Sequence, residues 1–432
     1  METKLLDYCW KHKLLESYIT TTGKEVEVRD QGLFNRNQGP TFFNAKLKIA
    51  NTLWVGNVQI LEKASDWFVN GFDTDSKYDN IILVVCGLAD SVITNSKCEE
   101  IPILQAVVPE KVTRNVKALY APMTGQALCK HYICEYTTTL IRNAWLAAMQ
   151  TEYIEEKTEH VRMIQKNYGD PSWDTTAFIL LCRSFGFGCN DDNMEAFAKS
   201  IRLSVLEHYR DDLFQVEAII LGQAGLLELE AIPENYQKTA LNEGYFAKLR
   251  NEYLYLAHKH SLSPARVKWN KYGSGPQQYP HVILSMLANL FYSRSISAKN
   301  ILDLKNANDC YHVLTTHPTP YWNTHFHFGA VSKKSEKMLS QDRKSYIMAS
   351  FVSPFLFCIG REKSVEEYCD RAFDIVDQMK PFSTVESKGF SRMGLVPVTA
   401  CDTVALIQLQ QKYCDCHDCL RCRFGFEFIR HN

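Results

Sequence analysis

The sequence predicts an α+β protein, in which a mixed α/β domain of residues 1–125 precedes a mainly α-helical domain of residues 126–432. Three patterns support this prediction. Apolar residues alternate with lysines over residues 45–49, which is typical of a half-buried strand. Residues 81–86 are continuously apolar, as in a central strand that is covered on both faces. Apolar residues at helical spacing over residues 365–379 predict one buried helix face.

The first domain is expected to begin with a helix over residues 5–18 that packs against a sheet. Apolar patterns predict strands around residues 26–28, 45–49, 53–61, 81–86 and 101–108. Gly56 and Asn57 lie within the third strand, where a glycine indicates a bulge or a close approach of another backbone. A second helix is expected over residues 110–120.

The second domain is expected to follow a junction within residues 121–138 and to end in a cysteine-rich tail at residues 414–422. Helices are predicted at residues 139–167, 190–206, with Asn190 as a candidate N-cap, 213–229 and 365–379. Gly222 and Gly225 fall in the third helix. Because glycine costs about 1 kcal/mol there relative to alanine, close helix packing is the expected reason. The uncharged run at residues 345–360 is too short to span a membrane and predicts a buried helix.

Composition excludes several classes of protein. The 48 Lys and Arg residues balance 49 Asp and Glu residues, and 46% of the chain is hydrophobic. A disordered chain, a collagen-like chain and a highly basic nucleic-acid coat are therefore excluded, although a local basic groove is not. Residues 1–13 lack the continuous apolar core of a signal peptide, so we expect a cytoplasmic protein with no membrane association. Its 15 cysteines are then expected to be reduced and mostly buried.

The densest group of unusual residues lies in the first domain. Residues 39–45 read GPTFFNA, residues 54–61 read WVGNVQIL, and residues 65–67 read SDW. An acidic loop follows, with Asp73, Asp75 and Asp79.

These residues resemble an uncharacterised bacterial family, domain of unknown function 2851, whose pattern runs GPDFFNA, WVGNVEIH and SDW before an acidic loop. The resemblance extends over essentially the whole chain. Further matching segments are residues 185–188, 208–211, 222–225, 321–325 and 413–422.

The family pattern itself resembles a PD-(D/E)XK nuclease core. That resemblance implies an acid at the start of one strand and an acid with a polar partner two residues apart on the next. Two such carboxylates hold Mg²⁺, which lowers the pKa of bound water and neutralises charge on the attacked phosphate. In this chain Thr41, Gln59 and Leu61 stand at the three positions where the family has Asp, Glu and His. The resemblance therefore predicts a nuclease-like fold with a degenerate site that is catalytically silent and does not hold Mg²⁺.

Two functions follow from this interpretation. The first is a non-catalytic protein that binds nucleic acid or a protein partner. The alternative is a metal-dependent phosphodiesterase that uses displaced acids, for which Asp66, Asp73, Asp75 and Asp79 are candidates. A simpler interpretation makes these acids a surface loop, with Asp66 capping a turn.

The helical domain contains two polar candidates. His208 and Arg210 lie in a polar cluster that could contact a phosphate or nucleic acid. We favour a structural network of caps and ion pairs between helices. The stretch with Trp322, His325 and His327 has two histidines at strand spacing for a metal, but a packed aromatic loop is the favoured interpretation.

Four cysteines lie between residues 414 and 422. Cys419 and Cys422 have the spacing of a half-site for Zn²⁺ or an iron–sulfur cluster. Cys414 could add a third ligand, and Cys416 or His417 a fourth. Alternatively the thiols are reduced and pack a terminal helical turn.

Overall fold

A computed structural model describes residues 2–35, 38–121, 128–167, 172–270, 279–293 and 297–431. The chain forms two compact units. Unit 1 comprises residues 1–138 and 413–432, and unit 2 comprises residues 139–412. The α+β class is confirmed, because a mixed sheet and its helices form the N-terminal part and helices dominate the rest. The predicted domain boundary at residues 125 and 126 lies outside the described residues.

Unit 1 contains a six-stranded sheet. Its strands are β1 (Val26–Asp30), β2 (Leu33–Phe34), β3 (Phe42–Ile49), β4 (Thr52–Lys63), β5 (Ile81–Leu88) and β6 (Ile103–Gln105). The order is β1-β3-β4-β5-β6, with β2 also paired to β3. The β1, β2, β3 and β4 pairings are antiparallel, whereas β4, β5 and β6 run parallel. The first six residues of β5 are all buried, as a central strand requires.

The glycine in β4 has the predicted role. A Cβ on Gly56 would lie 2.5 Å from Ile82 Cγ2 and 2.7 Å from the Asn80 carbonyl oxygen. The β4–β5 register also shifts directly after Asn57. The predicted strand at residues 101–108 is shorter than expected, because the Val107 carbonyl accepts from the Glu16 amide at 2.9 Å instead of continuing the sheet.

Helices cover this sheet. The helices of the N-terminal part are α1 (Glu2–Lys11), α2 (Asp66–Val69), α3 (Glu110–Tyr120) and α4 (Ile133–Tyr136), with 3-10 turns at Ser76–Tyr78 and Leu128–Tyr132. The helix predicted to reach residue 18 ends at Lys11. Lys13 is left-handed, with φ 54°, and the Leu14 amide donates to the Cys9 carbonyl at 2.8 Å, which closes the helix end.

Unit 2 is helical around one apolar core. Its helices are α5 (Thr139–Asn167), α6 (Trp173–Ser184), α7 (Asp191–Lys199), α8 (Leu203–His208), α9 (Leu213–Gln223), α10 (Glu234–Glu243), α11 (Tyr245–His260), α12 (Pro280–Tyr292), α13 (Ala298–Asp303), α14 (Ala307–Val313), α15 (Gln341–Ile347), α16 (Ser353–Lys363), α17 (Glu366–Asp377), α18 (Val385–Ser391) and α19 (Ala400–Gln408). Two short strands pair within it, β7 (His325–His327) and β8 (Ala330–Val331).

The uncharged run at residues 345–360 is a buried helical segment, as predicted, formed by α15, a π-helical turn and α16. In the part of the chain that the structure describes, no helix is long and apolar enough to cross a membrane.

Two helix predictions need correction. The helix expected over residues 190–206 is two helices, α7 and α8, and the Ser200 carbonyl at the break accepts from the Gln223 side chain at 2.9 Å. Asn190 precedes α7 without capping it, because its side-chain oxygen accepts from the Asn270 amide at 2.9 Å. The helix expected to reach residue 229 ends at Gln223, and Gly225 follows in a left-handed conformation with φ 70°.

Gly222 has the predicted packing role. A Cβ there would lie 2.2 Å from the Tyr253 ring of α11. No side chain therefore fits between α9 and α11 at this point unless the helices separate.

The cysteine-rich tail differs from its predicted placement, because residues 413–432 belong to unit 1 instead of the helical unit. The last helix, α20 (Arg423–His431), explains the difference. Its Phe428 and Ile429 are buried in the core of unit 1, and Asn115 of α3 donates to the Ile429 carbonyl at 3.0 Å.

Candidate functional site

The structure brings two of the three motif positions together. Thr41 immediately precedes β3 and Gln59 lies on β4, at a point where Phe42 pairs with Val58. The Thr41 amide donates to Gln59 Oε1 at 3.0 Å. The Ile60 amide donates to Thr41 Oγ1 at 3.2 Å, and Gln59 Nε2 donates to the Ile60 carbonyl at 3.3 Å. Both neutral side chains thus hydrogen-bond to main-chain groups of Thr41 and Ile60.

Leu61, the third motif position, has an apolar environment. It is buried in an apolar cluster with Trp67, Tyr78 and Val84. Gln59 is only 7% exposed, so neither residue offers a charged or solvent-facing ligand. A hydroxyl, an amide and an aliphatic side chain supply no formal negative charge to a hard cation, which prefers carboxylate oxygens.

The acidic residues after β4 hold their own loops together. Asp66 Oδ2 accepts from the Lys63 amide at 3.0 Å, and Asp75 Oδ1 accepts from the Lys77 amide at 3.0 Å. Asp79 accepts from the amide and hydroxyl of Ser96 at 3.2 and 2.9 Å. These contacts support the interpretation of a capped surface loop. A displaced metal site that includes Asp73 stays a prediction.

His208 and Arg210 lie in a structural network. Arg210 Nε donates to the Phe291 carbonyl at 3.3 Å, and its guanidinium lies over the Phe291 ring, 4.7 Å from the centroid. Asp212 caps α9 through the Phe214 amide at 2.9 Å. His208 packs edge-on against Tyr209. These contacts are of the structural kind that we favoured, and a ligand-binding role for His208 and Arg210 stays a prediction.

A buried polar network surrounds Trp322 in unit 2. Glu217 is fully buried and accepts from Tyr245 Oη at 2.6 Å, Trp322 Nε1 at 2.8 Å and Thr319 Oγ1 at 2.9 Å. Tyr321 stacks on His325 with ring centroids 4.0 Å apart. The expected packed aromatic segment is thus present, and its Trp322 hydrogen-bonds to Glu217 of α9.

Sequence reasoning missed several members of this network, including Tyr245, Thr319 and a buried lysine. Lys337 is 1% exposed, and its Nζ donates to the Trp322 carbonyl and, at 3.0 Å, to the His325 carbonyl. Burial lowers the pKa of this lysine. A lysine between a serine-rich segment and a helix gave no signal of burial in the sequence.

The four clustered cysteines occupy different environments. Cys419 and Cys422 are buried, Cys414 is partly buried, and Cys416 is exposed. Burial and the neighbouring Asp418 raise the pKa of Cys419. Within the described ranges, no three His, Cys, Asp or Glu side chains are placed to hold a metal ion. Metal binding at these cysteines stays a prediction.

A cavity in unit 1 was not predicted from the sequence. Its volume is about 810 Å³. Helix α1 contributes Lys4, Asp7, Tyr8 and Lys11, whose spacing places them on one helix face. The remaining lining residues have aromatic, apolar and polar side chains: Phe34 of β2, Val116 and Tyr120 of α3, and Cys416, His417, Asp418, Leu420 and Arg421 of the tail. The sequence indicated this cavity only through the mixture of charged and apolar residues in the first helix.

Two polar groups of this cavity lack partners. The Tyr8 hydroxyl and Asp7 Oδ1 are shielded from solvent and have no hydrogen-bond partner among the residues that the structure describes. Burial raises the pKa of the Asp7 carboxyl from 3.8 to about 6, and burial also raises the pKa of Tyr8. Arg421 pairs with Asp418 at 3.0 Å, whereas Lys4 and Lys11 are exposed.

Comparison with protein families identifies the family of this chain. A family model described as Protein of unknown function (DUF2851) matches residues 3–383. No curated protein and no solved structure matches the chain. The match includes the motif positions on β3 and β4 and ends before the cysteine-rich tail, so the likeness of the tail to the family stays a prediction.

Proposed function

The chain belongs to the DUF2851 family of proteins of unknown function, and on this premise we propose that it is a catalytically silent protein that binds nucleic acid. In this proposal the protein retains the nuclease-like arrangement of two adjacent strands but lacks the carboxylates that metal-dependent hydrolysis requires. It has two parts, the loss of a metal-dependent reaction and the retention of a surface for a polyanion.

One observation carries the proposal. Thr41 and Gln59 contact each other at the strand positions where the family pattern has two acids, and both side chains are hydrogen-bonded to local backbone groups. Phosphodiester hydrolysis at such a site needs carboxylates to hold Mg²⁺ and to activate water. A neutral pair supports the same backbone geometry without holding the cation, so the ligand can bind and is not cut.

A basic stripe on α3 supports nucleic acid as the ligand. Lys111, Arg114 and Lys117 recur at three-residue spacing and are all exposed. None of them forms an ion pair within the described part of the chain. They extend over about 9 Å of helix axis. Because the formal net charge is −1, the attraction for a polyanion is local to this stripe.

Charge reversal on α3 tests the proposal. The variant combines Lys111→Glu, Arg114→Glu and Lys117→Glu, and its affinity for fluorescent single- and double-stranded oligonucleotides is measured by anisotropy at 50 and 200 mM salt. We expect at least a tenfold loss of affinity at 50 mM and a shallower salt dependence, since each lost phosphate contact lowers the slope by roughly 0.7–0.9.

A matched control changes the same charge elsewhere in unit 1. Lys24, Lys77 and Lys97 are exposed and lie outside α3, and their replacement by Glu is expected to change affinity less than threefold. Equal losses in both triple variants would show that only net charge matters and would contradict a specific surface. No binding by the unchanged protein at 100 µM would reject nucleic acid as the ligand.

A protein partner is the alternative that the sequence leaves open. The exposed apolar residues Leu53, Trp54 and Val55 at the start of β4, beside the β3–β4 turn, favour it. They would become the surface to test if the unchanged protein does not bind nucleic acid.

A further inference from the structure

We propose that the cavity of unit 1 lined by α1, α3 and the tail binds one nucleotide unit, with the base against Phe34 and Tyr120 and the phosphate at Lys4 and Lys11. This inference rests on the proposed function and names the part of the ligand that the protein recognises. The nucleotide can be free or part of a strand, since both present the same base and phosphate.

The α1 face has the charges and the length that a nucleotide requires. Lys4 and Lys11 are seven residues apart, or about 10 Å along the helix axis, and lie on one face of α1, so that their flexible side chains can approach a phosphate from two sides. Both are exposed at the rim. Arg421 adds a third cation to the lining, although Asp418 pairs with it.

The aromatic and apolar lining residues outside α1 are suited to a base. Phe34 is exposed, contacts Phe42 at a ring-centroid distance of 5.3 Å and presents a ring to the cavity. Tyr120, Val116 and Leu420 complete an aromatic and aliphatic surface. Stacking on aromatic rings contributes about 1–3 kcal/mol per base and tolerates any base. A cavity of about 810 Å³ is large enough for a nucleotide with its bound water.

Two buried polar groups point to a ligand with hydrogen-bonding atoms. Tyr8 is only 4% exposed, and its hydroxyl lacks a partner among the described residues. Asp7 lies one residue before it, and one of its carboxylate oxygens is also without a partner there. Unsatisfied buried polar groups cost about 1–3 kcal/mol each. Amino and imino groups of a base, or sugar hydroxyls, are suitable donors, and bonding to them requires a side-chain rotation that brings the shielded Asp7 oxygen into the cavity.

Alkylation of Cys416 reports on occupancy of the cavity in the full chain. Cys416 is exposed and lines the cavity, whereas Cys98 is exposed elsewhere in unit 1 and serves as the internal control. The rates of N-ethylmaleimide modification at the two thiols are followed by mass spectrometry with AMP, GMP, inorganic phosphate or a single-stranded RNA octamer. We expect a nucleotide to slow Cys416 at least fivefold and to leave Cys98 unchanged.

Two variants with a matched control locate the binding site. Lys4→Glu combined with Lys11→Glu is expected to weaken nucleotide binding at least tenfold, while the control pair Lys77→Glu with Lys97→Glu changes it less than twofold. If the charge variant loses its folded circular dichroism signal, Phe34→Ala at an exposed position provides the test, with an expected loss of about fivefold or more in affinity.

The outcomes separate this inference from the proposed function. Protection by the octamer supports both, and protection by mononucleotides alone supports the cavity and rejects nucleic acid as the ligand. Octamer binding that neither protects Cys416 nor responds to the Lys4 and Lys11 changes overturns the cavity inference and leaves the proposed function standing. Equal protection by inorganic phosphate overturns recognition of a nucleotide, and no protection together with no octamer binding overturns both.

Discussion

Asp7→Asn is expected to stabilise the protein at neutral pH. Burial raises the pKa of this carboxyl from 3.8 to about 6. A folded-state pKa above the unfolded value means that the folded chain binds a proton between about pH 4 and pH 6 that the unfolded chain has released. Stability from this group is therefore present below pH 4 and lost as the pH rises through 6. Asparagine does not ionise, so the variant does not lose this stability as the pH rises.

The size of the expected stability gain follows from the pKa shift of Asp7. About two pKa units correspond to roughly 3 kcal/mol at full strength. The side chain is half-buried, so solvent screening reduces the expected gain to about 1–2 kcal/mol. For a unit of this size each kcal/mol raises the melting temperature by about 2–4 °C.

Thermal unfolding of the two proteins between pH 4 and pH 8 is the assay. The gain of the variant should be near zero at pH 4, grow through pH 5 and level off above pH 6.5. Asp73→Asn, in the loop after α2, removes the same charge outside the cavity and serves as the control. A variant that is less stable at pH 7.5, or equally stabilised at pH 4, would refute the reasoning.

Three further predictions concern the motif site and the helical core. Restoring Thr41→Asp with Gln59→Glu should create Mg²⁺ binding that calorimetry detects, because the two residues are already adjacent and the Thr41 amide donates to Gln59 Oε1; no heat of binding would contradict the assigned site geometry. Gly222→Ala should destabilise the protein by about 1–3 kcal/mol in denaturant titrations through overpacking, whereas Gly389→Ala, in open space on α18, should be neutral or stabilising by up to about 1 kcal/mol. Glu217→Ala should cost about 3–5 kcal/mol, since three buried donors lose their acceptor, and a cost below 1 kcal/mol would show that the network relaxes.

Local sequence patterns correctly predicted those strands and helices in which burial of one face imposes a regular spacing of apolar residues. The strands around residues 45–49 and 81–86 and the helix over residues 110–120 match the structure because burial follows the alternation or the helical spacing in each. Helix ends were less predictable. Lys13 and Gly225 end their helices through left-handed conformations, and a lysine gives no sequence signal of that role.

The candidate site could be predicted only where residues are close in sequence or paired by strand register. Thr41 and Gln59 were identified through the resemblance to the family pattern, and the pairing of Phe42 with Val58 explains why they are adjacent. The cavity draws on residues from the two ends of the chain, Lys4 at one end and Arg421 at the other, and no local pattern relates them. The tail was assigned to the helical domain for the same reason, because its contact with α3 is a tertiary one.

Single-turnover incubation of the protein with a labelled oligonucleotide tests the central claim most directly. Protein in excess over substrate, at 50 mM salt with Mg²⁺ or Mn²⁺, is monitored by anisotropy for binding, and the same sample is then resolved on a denaturing gel. Bound and intact substrate after several hours is the result that the account predicts. Cleavage that depends on the metal and stops with chelator would contradict it.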